Sequence, residues 1–309
     1  MSKHRSAEIK RLPWRGVEGD RPDLPLPPGS MPLRFAGNWR KSWRYVGAFG
    51  EQVMLCAANV HIGPLGQTFW ALLDRASGEI VENTHQLLPA ERGEVWTERG
   101  GGFDAWDLGT SGKGIRTRID SKGTTARLRF RDPGDWVESI CPTGEGRGEG
   151  GYVWTRKRPS TIELRMKLAD GRVIEADLRG IEDESAGYQP RNTAWSWSAG
   201  VGTAADGRAV AWNLVAGVND PAERSERAIW VDGEAPREPA PVDFDGLEAV
   251  TFADGSRLGF EAEAERREDQ NMYIVKSKYR QPFGTFSGSL EGMELADGIG
   301  VMESHEATW

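Results

Sequence analysis

The sequence predicts an all-β chain built as two antiparallel, lipocalin-like β-barrel halves packed together, with few short helices. Three observations predict it. Runs of period-two alternation arrive about every 8–12 residues, the spacing of a sandwich or barrel. The chain of 309 residues carries 39 Gly and 17 Pro, which supply tight turns, and 13 Trp, which supply large buried faces. An internal echo joins residues 50–64 (GEQVMLCAANVHIGP) to residues 207–221 (GRAVAWNLVAGVNDP). Each copy follows an aromatic-x-aromatic pair, Trp43/Tyr45 or Trp195/Trp197, and precedes a strand ending in Asp. The shared order of features favours two similar halves.

Residues 1–30 read as an irregular arm, because Arg21–Ser30 is proline-rich. A short helix is expected around Ala7–Arg11. The first barrel-like half is placed at 31–185 and the second at 186–309, with the polar run Glu182–Gln189 as the linker. In the first half, Val53–Ile62 and Thr68–Asp74 flank the Gly63-Pro64 turn, and Thr161–Leu168 and Arg172–Arg179 flank Asp170-Gly171. Asp-Gly readily takes the positive φ angles of a primed hairpin turn. The same device recurs at Asp206-Gly207 and Asp254-Gly255. Glu261–Asp269 admits a helical reading but fits better as a strand end.

Composition excludes several classes. The formal charge of −8 offers no overall attraction to polyanions, so nucleic acid is not an expected partner. No stretch approaches the ~20 apolar residues of a membrane span. The N-terminus (MSKHRSAEIKRLPWRG) has no apolar core or small-residue cleavage site, so a cytoplasmic protein is expected. Cys56 and Cys141 are too few for a metal framework, the four His are scattered, and no zinc spacing or dinucleotide fingerprint occurs. Neither a metal nor a cofactor is expected. The Gly-rich run at 143–151 lacks the Lys-Ser/Thr ending of a phosphate loop.

Four regions carry candidate chemistry. On a strand over 53–62, Val53, Leu55, Ala57, Asn59 and His61 share one face, and Met54, Cys56, Ala58, Val60 and Ile62 the other. Both faces are largely apolar, so the strand should be buried on both sides, with Asn59 and His61 a polar pair at its end. His61 could exchange protons near neutral pH; a hydrogen-bonded strand-end imidazole is the plainer alternative. At the C-terminus, Val301, Glu303, His305, Ala307 and Trp309 share a face. Burial would raise a Glu303 pKa and lower that of His305, as proton-transfer sites require; a surface ion pair is the alternative. In Gly100–Gly109, Asp104 shares a face with Trp106, so an acid beside an indole is possible, as is simple turn chemistry. The last cluster comprises Trp195, Trp197, Trp212 and Asn213, where a buried Asn demands a hydrogen-bond partner. Arg40 and Trp43 belong to a mixed basic–aromatic stretch with Lys41, Arg44 and Tyr45, suited to gripping a ligand or to forming a solvated edge. Arg156, Lys157 and Arg158 read as a solvated edge.

The blocks NWRKSWRYVGAFGEQVMLCAANVHIGP, WSWSAGVG…GRAVAWNLVAGVND and QPFGTFSGSLEG…GVMESHEATW resemble an uncharacterised bacterial domain-of-unknown-function family (DUF2804) over about residues 20–309. More remotely, the layout is similar to two-domain lipocalin-like proteins: AttH, carotenoid hydratases, tocopherol cyclases and barrel-type Diels–Alderases. That resemblance implies paired barrels holding an apolar ligand in or between them, and cofactor-free chemistry by acids and aromatics. The expected function is binding of a hydrophobic small molecule (lipid, isoprenoid or polyketide-like) in a Trp-lined barrel pocket, with acid–base hydration, isomerisation or cyclisation. Asp104 or Glu303 would protonate a double bond, and His61 or His305 would assist. Two other readings stay open: a non-catalytic lipid or isoprenoid carrier, and a carbohydrate-binding or carbohydrate-active protein.

Overall fold

A computed structural model of the chain describes residues 8–16, 21–27, 29–87, 95–98, 116–144, 150–272 and 275–309. Its strands are β1 (Trp14–Arg15), β2 (Arg34–Phe35), β3 (Asn38–Trp39), β4 (Lys41–Phe49), β5 (Val53–Ile62), β6 (Leu65–Asp74) and β7 (Glu79–Leu87). Then come β8 (Val95–Glu98), β9 (Arg116–Ser121), β10 (Thr124–Arg131), β11 (Val137–Pro142), β12 (Tyr152–Lys167) and β13 (Val173–Gly187). The remainder are β14 (Asn192–Ala204), β15 (Ala209–Ala216), β16 (Ala228–Val231), β17 (Asp243–Asp245), β18 (Ala249–Thr251), β19 (Arg257–Met272), β20 (Val275–Leu290) and β21 (Met293–Thr308).

The pairings are antiparallel throughout, as expected. One sheet runs β7-β6-β5-β4-β13-β12-β10-β9-β8, with β11 joining β12 to β1. The other runs β16-β15-β14-β21-β20-β19-β18-β17. Each sheet curls round its own apolar core. Val46, Leu55, Trp70, Leu128, Ile162 and Leu164 fill the first. Val210, Trp212, Leu214, Val250, Phe286 and Met302 fill the second. A third core lies between the sheets, where Phe49, Met54, Cys56, Ala71 and Ile181 meet Ala199, Ala211, Phe283 and Val301.

This layering explains the apolar runs. Strands β4, β5, β6, β14, β15 and β21 are sandwiched, so period two sorts their residues between two cores rather than between core and water. In β5, Leu55 and Ala57 enter the first core while Met54, Cys56 and Ala58 enter the central one, the division the sequence indicates. The echoed segments are equivalent in topology, since β4-β5-β6 and β14-β15-β16 are both antiparallel meanders.

Two expectations need correction. The polar run Glu182–Gln189 is not a loop: β13 continues to Gly187, and Glu182, Asp183, Glu184 and Ser185 are all buried. The change of sheet falls at 188–191. The Asp-Gly turns stand where expected but are not two-residue primed turns. Only the glycine takes positive φ, +91° at Gly171, +88° at Gly207 and +84° at Gly255. In each, the Gly N–H donates back three residues, and the Asp carboxylate accepts the N–H two residues on, as Asp170 does from Arg172 at 2.9 Å. That is a wider loop closed by one left-handed glycine. The N-terminal arm makes one helical turn at Glu8–Leu12, then packs Trp14, Leu24, Leu26 and Met31 against Tyr152, Trp154 and Tyr188.

Candidate active site between the sheets

The cavity that gathers five of the twelve candidate residues opens between the two sheets, one of the two places the resemblance implies, and not inside either barrel. Its volume is about 120 Å³. Sheet one contributes Trp43 and Tyr45 from β4, Ala58 and Val60 from β5, and Phe69 from β6. Sheet two contributes Trp195 and Trp197 from β14, Tyr279 from β20, Glu303 and His305 from β21, and Trp309 just beyond it. Alternation delivers these residues: each sits on the face of its strand that turns to the opposite sheet. The two aromatic-x-aromatic pairs meet across the gap. Trp43 and Trp195 lie nearly parallel, at 7° and 6.2 Å between centroids, and Tyr45 sets its edge against Trp197 at 5.3 Å.

Glu303 lies on the cavity floor, 7% exposed. Trp195 donates its indole N–H to Oε1 at 2.8 Å, and Gln281 donates Nε2–H to Oε2 at 2.9 Å. No cation pairs with it among the described residues. Burial therefore dominates and pushes the carboxyl up to about 7, although the neutral donors pull it down. The Tyr279 hydroxyl leans towards Glu303 and the Tyr45 hydroxyl towards Gln281, and neither completes a hydrogen bond of good geometry. Burial also holds both phenols well above their ordinary pKa, so both stay protonated donors.

His305 shares the strand face of Glu303. Its ring lies 4.2 Å from that of Trp195, and Nε2 hydrogen-bonds Ser277 Oγ at 2.8 Å. Burial, aided by nearby Arg266, lowers its pKa to about 3. At neutral pH it is an uncharged imidazole beside an acid that is about half protonated. The opposed shifts follow the direction the sequence indicates for a buried Glu–His pair.

A second polar group flanks the cavity. Lys157 on β12 lies 2.5 Å from Asp183 on β13 and 3.4 Å from Glu226, and Asn219 donates to Glu226 at 3.0 Å. All three charged residues are buried. Burial raises the Glu226 pKa, while Asp183 and Glu226 together raise that of Lys157 against the effect of burial. Arg266 on β19 spreads its guanidinium 4.2 Å from the Phe69 centroid and 4.9 Å from that of Tyr279.

The other candidates fall elsewhere. Asn59 and His61 pair in register with Arg44 and Ser42, on the face of β5 turned away from the cavity. Beside them, Arg44, Arg156 and Arg158 enclose Glu182 and Glu184 in a buried network with contacts of 2.7–3.6 Å. The basic triplet at 156–158 is thus no solvated edge. Carboxylates from the neighbouring strand neutralise all three side chains, which buried charges require. Trp212 belongs to the second barrel core and donates to Ser198 at 3.1 Å. Asn213 is fully buried behind the cavity wall, accepting from Trp197 Nε1 at 2.7 Å and donating to the Glu226 carbonyl at 2.9 Å. Arg40 donates to the Met31 carbonyl at 2.7 Å, outside the lining. Asp104 and Trp106 lie outside the described residues.

Sequence reasoning missed Gln281, Tyr279, Arg266 and the Lys157–Asp183–Glu226 group. Tyr279 and Gln281 do alternate towards Phe283 on β20, the one available signal. Among the described residues, no group of three or more His, Cys, Asp or Glu is arranged to hold a metal. Likewise, none of their helices is long and apolar enough to cross a membrane.

Several solved structures are similar to this chain, and kievitone hydratase, with a TM-score above 0.5, shares its fold. Kievitone hydratase from Nectria haematococca matches at a TM-score of 0.54 with 10% identity, covering 85% of this chain and 88% of that one. An AttH-type protein from Nitrosomonas europaea matches at 0.48 with 14% identity, covering 91% and 98%. CghA matches at 0.41 with 13% identity, covering 93% and 95%. No curated protein matches by sequence. The family model for the domain of unknown function DUF2804 matches residues 155–309, which include Glu303, His305, Trp195 and Trp197, and the chain belongs to that family.

Proposed function

We propose that this chain binds a hydrophobic small molecule in the cavity between its sheets and transfers a proton to it without a cofactor, with Glu303 as the general acid. One observation carries the reading: a buried carboxyl group, free of any described counter-cation and held by two neutral donors, faces an aromatic-walled cavity. An acid poised near neutral pH meets both demands of general acid catalysis, holding its proton in a large share of the resting molecules and donating it competently. Protonation of a carbon–carbon double bond would leave a cation on the ligand and a carboxylate on Glu303. The faces of Trp43, Trp195 and Trp197 would stabilise that cation, by about 2 kcal/mol when water is excluded. Neutral His305, held by Ser277, would then relay a proton from an attacking water, or from a neighbouring carbon, to the Glu303 carboxylate, which restores the acid. The first course is hydration and the second isomerisation; attack by a second double bond of the ligand is cyclisation. The fold shared with a hydratase supports the first course.

Proteins purified gently from producing cells, wild type and Glu303→Gln, should be compared for ligand content by native mass spectrometry after incubation in D2O. The proposal expects deuterium on a carbon of the wild-type ligand, and an unlabelled precursor in the variant. A ligand released unlabelled and unchanged from both would replace this reading with that of a carrier.

A further inference from the structure

The charges lining the cavity do not balance. Four carboxyl groups line it, from Asp183, Glu226, Glu268 and Glu303, against two cations, Lys157 and Arg266. Asp183 and Glu226 share Lys157. Arg266 lies over Phe69 and Tyr279 and has Glu82, outside the lining, at 3.4 Å. Glu303 has only neutral donors, and indole and phenol groups surround it. Aromatic faces attract a cation, and a buried carboxyl without one holds its proton until a cation replaces it.

We propose that the cavity takes a ligand bearing an organic ammonium group, seated between Glu303 and the indoles of Trp43, Trp195 and Trp197. This deepens the reading given above and rests on the same cavity: a stable ammonium ion occupies the place of the cation that protonation would create. Groups around Glu303 set where the charge settles. Tyr45 of β4, Cys56 of β5, and Tyr279 and Gln281 of β20 are neutral. So is His305 on its own strand. Asp183 and Glu226 draw a cation, while Lys157 and Arg266 repel one, which favours the Trp195 side over the Phe69–Tyr279 side. Because an ammonium ion pairs with the carboxylate, binding below pH 7 must release a proton from Glu303. Affinity should therefore rise with pH and level off above about 7.

Calorimetric titration with phenyltrimethylammonium and its uncharged isostere tert-butylbenzene tests this, at about pH 8.5 and about pH 5.5. At the higher pH the ammonium compound should bind at least about tenfold tighter. That preference should shrink at the lower pH and vanish in Glu303→Gln, which should still bind tert-butylbenzene. Equal or tighter binding of the neutral compound, no binding of either, or a preference that survives in Glu303→Gln would overturn the inference. Neutral binding without ammonium preference would leave the apolar-ligand reading standing. Ammonium preference in a protein that never labels its own ligand would do the reverse.

Discussion

Replacing Glu303 with Gln should change how stability depends on pH. Folding raises the Glu303 carboxyl from its ordinary 4.5 to about 7, chiefly by burial. Between those values the folded chain holds a proton that the unfolded chain has released. Stability therefore falls as pH rises through this window, by roughly 3 kcal/mol in all. His305 acts in the opposite sense. Burial lowers it from 6.5 to about 3, so its contribution is intact above 6.5 and is lost as pH falls towards 3. The ceiling of that second effect is roughly 5 kcal/mol. From pH 4.5 to 6.5 the two slopes oppose each other, and wild-type stability hides both. Gln at 303 keeps the size and hydrogen-bonding character of the side chain but does not titrate, which exposes the His305 slope. Urea unfolding of both proteins, in small steps from about pH 4 to about pH 8.5, reads this directly. The stability of the variant minus that of wild type should climb by about 3 kcal/mol between pH 4.5 and 7, then stay level. A difference that is flat, or that changes only below pH 5, would mean that Glu303 titrates as an ordinary exposed carboxyl and would refute the reasoning.

Gln281→Leu removes one neutral donor from Glu303, so the carboxyl pKa should move above 7, seen as an upward shift of that same window. Lys157→Met leaves Asp183 and Glu226 facing each other without their cation and should cost about 3–5 kcal/mol in urea unfolding near neutral pH, less in acid. Gly200→Ala would place a Cβ 2.2 Å from the Trp212 ring, so the melting temperature should drop by an amount equivalent to about 3 kcal/mol. Trp43→Leu keeps the apolar wall but removes the ring parallel to Trp195; it should weaken binding of an aromatic ligand while leaving the Glu303 pH window in place.

Most of the architecture was legible because period two survives in strands that are sandwiched. The face assignments of β5 and β21 came out as read: Glu303 and His305 do share a face beside Trp195. The sequence could not say which of two apolar faces looks onto a cavity, so Asn59 and His61 read as well as Glu303 yet face the other way. Buried charge was the harder failure. Glu182–Ser185 and Arg156–Arg158 look like solvated polar runs, but Lys157 stands directly opposite Asp183, and Arg156 opposite Glu184, on paired strands. Such compensation depends on cross-strand register, which a linear pattern does not carry. Glu226 escaped for a similar reason, since its partners Lys157 and Asn219 lie on different parts of the fold. The Asp-Gly turns were placed correctly but typed wrongly, because Asp170, Asp206 and Asp254 cap their loops with a carboxylate instead of adopting positive φ.

The proposed ligand site lies between the sheets. Crystals of the protein soaked with 1-bromooctane, read by the anomalous signal of bromine, test it most directly. Bromine should appear between β4–β6 and β14, β20 and β21, in contact with Trp195 and near Glu303. Bromine found only within the first sheet's own interior, beside Asn59 and His61, would contradict it.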